Sequence, residues 1–112
     1  MANLLLVDRD GRRRVRLELA AQRAGHRTYS AGSGAEALRS AAIYVPDAIL
    51  LAGDLPDMTA SAFIQKLRTS EKGLLRQMLV VTPDQVAVEG DGCVARAAST
   101  EPEAMLEALD AK

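Results

Sequence analysis

The chain has 112 residues, of which 48% are apolar, 26% charged and only 3% aromatic, and its net charge is −1. That length makes one domain, residues 1–112, whose single core must be aliphatic. No apolar run approaches the ~18 residues of a membrane span, residues 1–7 are too short for a secretory signal, and the lone Cys93 excludes an internal disulfide. These features together predict a cytoplasmic protein.

In chain order, Leu4 to Val7 is a short, wholly apolar run, as a central parallel strand covered on both faces requires. Asp8 to Gly11 turns into a helix from about Arg12 to Ala24, stopped by Gly25. His26 to Ala31 reads as a second strand, and Gly32-Ser33-Gly34 leads into a helix from about Ala35 to Tyr44. Pro46 breaks that helix, and Ala48 to Leu51 forms the third strand. A helix over Ser61 to Thr69 buries Phe63, Ile64 and Leu67. Met78 to Val81 is the fourth strand and Cys93 to Ala95 a short fifth. The last helix starts at Thr100-Glu101-Pro102-Glu103, with Thr100 as cap, and runs to about Leu109.

Strands alternating with helices predict a parallel α/β sheet with right-handed crossovers. Five such units in so short a chain fit a flavodoxin-like doubly wound sheet of order 2-1-3-4-5. Its switch point, where ligands bind in such sheets, falls between strands one and three, at Asp8 and Ala52. Other features carry less. Gly32-Ser33-Gly34 lacks the third glycine of a dinucleotide fingerprint and follows the wrong strand. His26 has no partner in a motif, and Cys93 reads as a small buried strand residue.

Charge is unevenly placed. Residues 1–40 hold eight arginines against four acids, and residues 83–112 hold seven acids against Arg96 and Lys112. Arg12, Arg16 and Arg23 form one stripe of the first helix, but no recognition helix or aromatic platform accompanies them, so no nucleic-acid partner is expected. In this topology the first and last helices are neighbours, and pairing with Glu101, Glu103, Glu107 and Asp110 accounts for the asymmetry.

Several residues then fall into one register. They are Leu4-Leu5-Leu6-Val7-Asp8; Arg14, Leu17 and Gly25; Ala31, Gly34, Glu36, Ala37 and Leu38; Pro46-Asp47 and Leu55-Pro56 around the third strand; and Thr82. Over nearly the whole chain this resembles the receiver domain of response regulators in bacterial two-component signalling and phosphorelay. The resemblance implies a known chemistry. Two adjacent acids after strand one hold magnesium, and an aspartate ending strand three is the phosphoryl acceptor. A hydroxyl after strand four and a lysine after strand five bind the transferred oxygens, and an aromatic on strand five reports occupancy.

Little of that set is kept. Asp8 matches the first acid, Arg9 replaces the second, and Asp10 lies one position late. Ala52 stands where the acceptor aspartate belongs, and a methyl group cannot take a phosphoryl group. Thr82 is retained, Arg96 replaces the lysine, Ala97 the proline after it, and Cys93 the switch aromatic. An Arg9 guanidinium among Asp8, Asp10 and Asp54 is one candidate for a permanent counter-charge in place of magnesium; the other reading points it to solvent.

From Thr82 to Arg96 is fourteen positions, roughly eight fewer than the family has, or about two helical turns. The helix between strands four and five is therefore expected to be short or absent. Its loss predicts an uncovered face near Met78 to Val81 and a homodimer through strands four and five.

These features predict an atypical, phosphorylation-independent pseudo-receiver. It is expected to act through a signalling protein partner, a fused output domain or self-association, and not as an enzyme; no metal, cofactor or membrane is expected. Two alternatives follow from the same pocket. One is phosphorylation at a displaced carboxylate, Asp54; the other is an anion or small-ligand sensor built on Arg9, Thr82 and Arg96.

Overall fold

The computed structural model describes residues 2–69, 79–83, 94–99 and 101–110. Its elements are β1 (Asn3–Val7), α1 (Gly11–Arg23), β2 (Arg27–Ala31), α2 (Gly34–Tyr44), β3 (Ala48–Leu51), α3 (Ala60–Arg68), β4 (Leu79–Pro83), β5 (Val94–Ala97) and α4 (Pro102–Asp110). The strands form one parallel sheet in the order β2-β1-β3-β4-β5, the order expected from the sequence. None of the described helices is long and apolar enough to cross a membrane.

Alternation along the strands divides the core into two layers. Leu5, Val7, Ile49, Leu51 and Val80 point to one side, against Ala37 and Ala41 of α2 and Phe63, Ile64 and Leu67 of α3. Leu4, Leu6, Leu50, Val81 and Ala97 point to the other, against Leu17 and Ala21 of α1 and Met105 of α4. Every residue of β3 is buried, which explains why the central strands read as continuous apolar runs. Phe63, the one phenylalanine, is fully buried, which stabilises the first layer by about 1.5–3 kcal/mol.

The helix ends are cut by local chemistry. Gly25 takes φ 90°, and its N–H bonds to the Gln22 carbonyl while the His26 N–H bonds to that of Ala21. Those two bonds close the last turn of α1 in the Schellman arrangement. After α2 the left-handed residue comes one position sooner, at the C-cap Val45 with φ 46°, and it is β-branched. Glycine or asparagine is the usual occupant there, so Val45 is strained.

Two expectations need revision or relocation. Val80 and Val81 are fully buried in the single chain, one against the α3 layer and the other against Met105. The predicted uncovered face is thus not found at Val80 and Val81. Residues 84–93, the ten that join Pro83 to Val94 and include Cys93, lie outside the described residues, as do Met78 and Thr100. The crossover they make is shorter than the dozen or more residues usual between parallel strands.

Candidate functional site

The sheet brings the predicted residues to its carboxyl edge on four adjacent strands. Val7 pairs with Leu51, so Asp8 and Ala52 follow side by side. Their backbones stay in the ladder, Asp8 N–H donating to Ala31 O at 3.2 Å and Ala52 N–H to Val7 O at 3.1 Å. On the far side of Ala52, Thr82 of β4 pairs in register with Arg96 of β5. Asp54 lies in the loop beyond Ala52.

Asp8 is 1% exposed, and its carboxylate is fully engaged. Arg13 grips it with two prongs, Nε to Oδ2 at 2.5 Å and Nη2 to Oδ1 at 2.8 Å, while the Asp10 N–H adds a third bond to Oδ1 at 2.9 Å. Charge-assisted bidentate pairs of this kind are the strong ones. The hydrogen bonds to Asp8 in turn raise the Arg13 pKa above its ordinary value. Arg14 closes the arrangement from below by donating Nη1 to the Asp8 carbonyl at 2.7 Å.

The counter-charge beside Asp8 is therefore Arg13, not Arg9. Arg9 is exposed because neighbouring residues of an extended chain face opposite ways; with Asp8 turned inward, Arg9 turns outward. The same geometry explains how Arg13 arrives. Asp10 is the N-cap of α1, accepting from the N–H groups of Arg12 and Arg13, so α1 starts beside the strand end. The third helical residue then reaches back over Asp8. Asp10 is consumed by this role, and its pKa is lowered, first by the Arg13 backbone N–H.

The loop after Ala52 is tied down by two more aspartates. Ala52 is 6% exposed and presents a methyl group. Asp54 Oδ1 accepts from the Ala60 N–H at 2.8 Å, so the carboxylate considered as a displaced acceptor caps the start of α3. Asp57, which the sequence reading passed over, reaches across to α2. Its two oxygens accept from the N–H groups of Gly34 at 2.8 Å and Ala35 at 3.0 Å. These bonds, Gly34 first, lower its pKa. Met58 packs so closely on Gly34 that a Cβ there would lie 2.5 Å from its sulfur. A side chain at this position would have to displace the flexible end of Met58.

Thr82 is fully buried, and among the described residues its hydroxyl has no hydrogen-bond partner. Arg96 is exposed and donates Nη1 to the Pro83 carbonyl at 3.1 Å. It also borders a cavity of about 280 Å³ between β5 and α4, lined otherwise by Ala97, Ala98, Ala104, Glu107 and Ala108. That cavity includes none of Asp8, Arg9, Ala52, Asp54 or Thr82. Of the ion pairs expected between the first and last helices, Arg16 to Glu101 forms at 2.9 Å across exposed surface.

A divalent cation does not fit this donor set. Both Asp8 oxygens already accept hydrogen bonds, the second acid position is an outward arginine, and the third contributes a methyl group. Among the described residues, no group of three acidic, histidine or cysteine side chains converges on a point.

No protein-family model and no curated protein sequence matches the chain. Solved structures do. The chain is similar to the chemotaxis response regulator CheY4 of Vibrio cholerae, with 23% identity over 99% of this chain and 98% of that one, at a TM-score of 0.83. A CheY-like response regulator receiver domain protein of Methanospirillum hungatei is 18% identical over 99% and 92%, at 0.80. The receiver domain of sensor histidine kinase PA1611 of Pseudomonas aeruginosa, which has magnesium coordinated in its active-site cleft, is 25% identical over 96% and 78%, at 0.68. The fold of this chain is the receiver fold.

Proposed function

We propose that this chain is a receiver-type signalling domain that works without phosphorylation, through contact with a signalling partner or a fused output domain. The observation that carries the reading is the pair of substitutions at the carboxyl edge. A methyl group at Ala52 offers no nucleophile, and Asp8 is already neutralised by Arg13. No catalytic step is assigned to the chain. In place of chemistry it offers surface: Val15 and Leu19, one turn apart on α1, are 52% and 47% exposed. The exposed Arg12 and Arg16 frame them, which suits an apolar partner helix with acidic flanks.

The alternatives find less support. Asp54 is committed to the start of α3. The anion pocket has lost Arg9 to solvent, and Arg96 donates to a backbone carbonyl. Self-association by the β4 face finds no exposed apolar side chain at Val80 or Val81. The test is incubation with acetyl phosphate and magnesium followed by intact mass, with amide spectra recorded before and after beryllofluoride. Unchanged mass and spectra are expected. A gain of one phosphoryl group, above all one lost in Asp54→Asn, overturns the reading.

A further inference from the structure

We propose that Arg13 is the resident cation of this site, holding Asp8 as a bound divalent ion otherwise would, so that the domain's stability is indifferent to divalent cations. The inference deepens the phosphorylation-independent reading and rests on it. Three observations support it. Asp8 is 1% exposed, and an ionised carboxylate so buried requires a counter-charge. Arg13 is the one cation in ion-pair contact with it among the described residues, and it occupies both oxygens. Arg14 and the Asp10 N–H fix the same residue from other directions, so the carboxylate is not free to turn toward an incoming ion.

A guanidinium also differs from a metal in kind. It is covalently part of α1, is charged at any accessible pH, and does not leave when the ion concentration falls. A metal-loaded edge can be emptied, whereas this one is permanently filled. Arg13 is thus a positioning residue that joins the start of α1 to the end of β1.

The test compares thermal unfolding of the whole chain, with magnesium chloride or with sodium chloride of equal ionic strength, for wild type and four variants. Wild type is expected to show the same midpoint in both salts, and Arg9→Ala to behave like wild type. Arg13→Ala is expected to melt well below wild type and to regain part of the loss in magnesium, because Asp8 is then open. Adding Asp8→Asn to Arg13→Ala is expected to raise the midpoint above that of Arg13→Ala alone and to abolish the magnesium response. Should Arg13→Ala not fold, Arg13→Lys keeps the charge without the two-pronged grip, and an intermediate midpoint is expected. A magnesium-dependent midpoint in wild type overturns the proposal, as does an Asp8→Asn/Arg13→Ala protein no more stable than Arg13→Ala. Phosphorylation is read separately by mass, so a phosphoryl gain with the predicted melting pattern would sink the functional reading while leaving Arg13 as counter-ion.

Discussion

Restoring the missing acceptor is the most direct challenge to this account. In Ala52→Asp a second carboxylate would enter beside Asp8, on the neighbouring strand and one register step past the Val7–Leu51 pair. Adjacent strands lie about 4.8 Å apart. Two carboxylates at ~5 Å repel by about 3 kcal/mol at an effective dielectric near 20. The Arg13 guanidinium, already bound through both prongs to Asp8, offsets only part of this. Ala52 is 6% exposed, so hydration helps little. The expected loss is about 1–3 kcal/mol at neutral pH.

Its pH dependence follows from the sign of the shift. Repulsion raises the new carboxyl's pKa in the folded state above its unfolded value. The penalty is therefore absent below the unfolded value and grows as pH rises through the folded one. Urea midpoints at mildly acidic and neutral pH measure it, and intact mass after acetyl phosphate and magnesium reads the chemistry. No phosphoryl gain is expected, since Arg13 sits where the metal would. Efficient phosphorylation of Ala52→Asp with Arg13 intact would refute the reasoning, as would a variant as stable as wild type at neutral pH.

Two further expectations concern the frame around the site. Val45→Gly relieves a left-handed conformation worth about 1–2 kcal/mol, against roughly 0.5–1 kcal/mol lost to the freer unfolded chain; a higher urea midpoint is expected, and a lower one contradicts the strain. Asp57→Ala should weaken the fold at neutral pH, because its lowered pKa means stability present above the ordinary value of 3.8 and lost as pH falls through the folded value. The gap between this variant and wild type in acid titrations of unfolding should accordingly close below that value, and a constant gap would deny the role to the carboxylate.

The two central strands were the most legible part of the chain because burial on both faces leaves a direct mark: Leu4 to Val7 and Ala48 to Leu51 are apolar throughout, whereas β4 and β5 end two residues later than the pattern suggested. Helix limits fell within a residue of expectation where a cap or a breaker announces them, as at Gly25 and Pro46. At the site, the sequence revealed which residues were missing but not how the remainder pair. Arg9 drew attention by adjacency to Asp8, yet adjacency in an extended segment separates side chains, and Arg13 is brought in only by the turn at Asp10. Asp57 gave no local signal, because its partners lie 22 and 23 residues away. Val45 left none either, since the position it fills ordinarily reads as glycine.

The three aspartates that cap helices have a joint electrical consequence. In sheets of this kind the helices begin at the carboxyl edge, so the positive ends of their dipoles converge there and make that edge attractive to anions. Asp10 now sits on the start of α1, Asp57 on that of α2 and Asp54 on that of α3. Each brings its own negative charge to a positive pole. Part of the field that would gather a phosphate from solution is thus answered by the chain's own carboxylates.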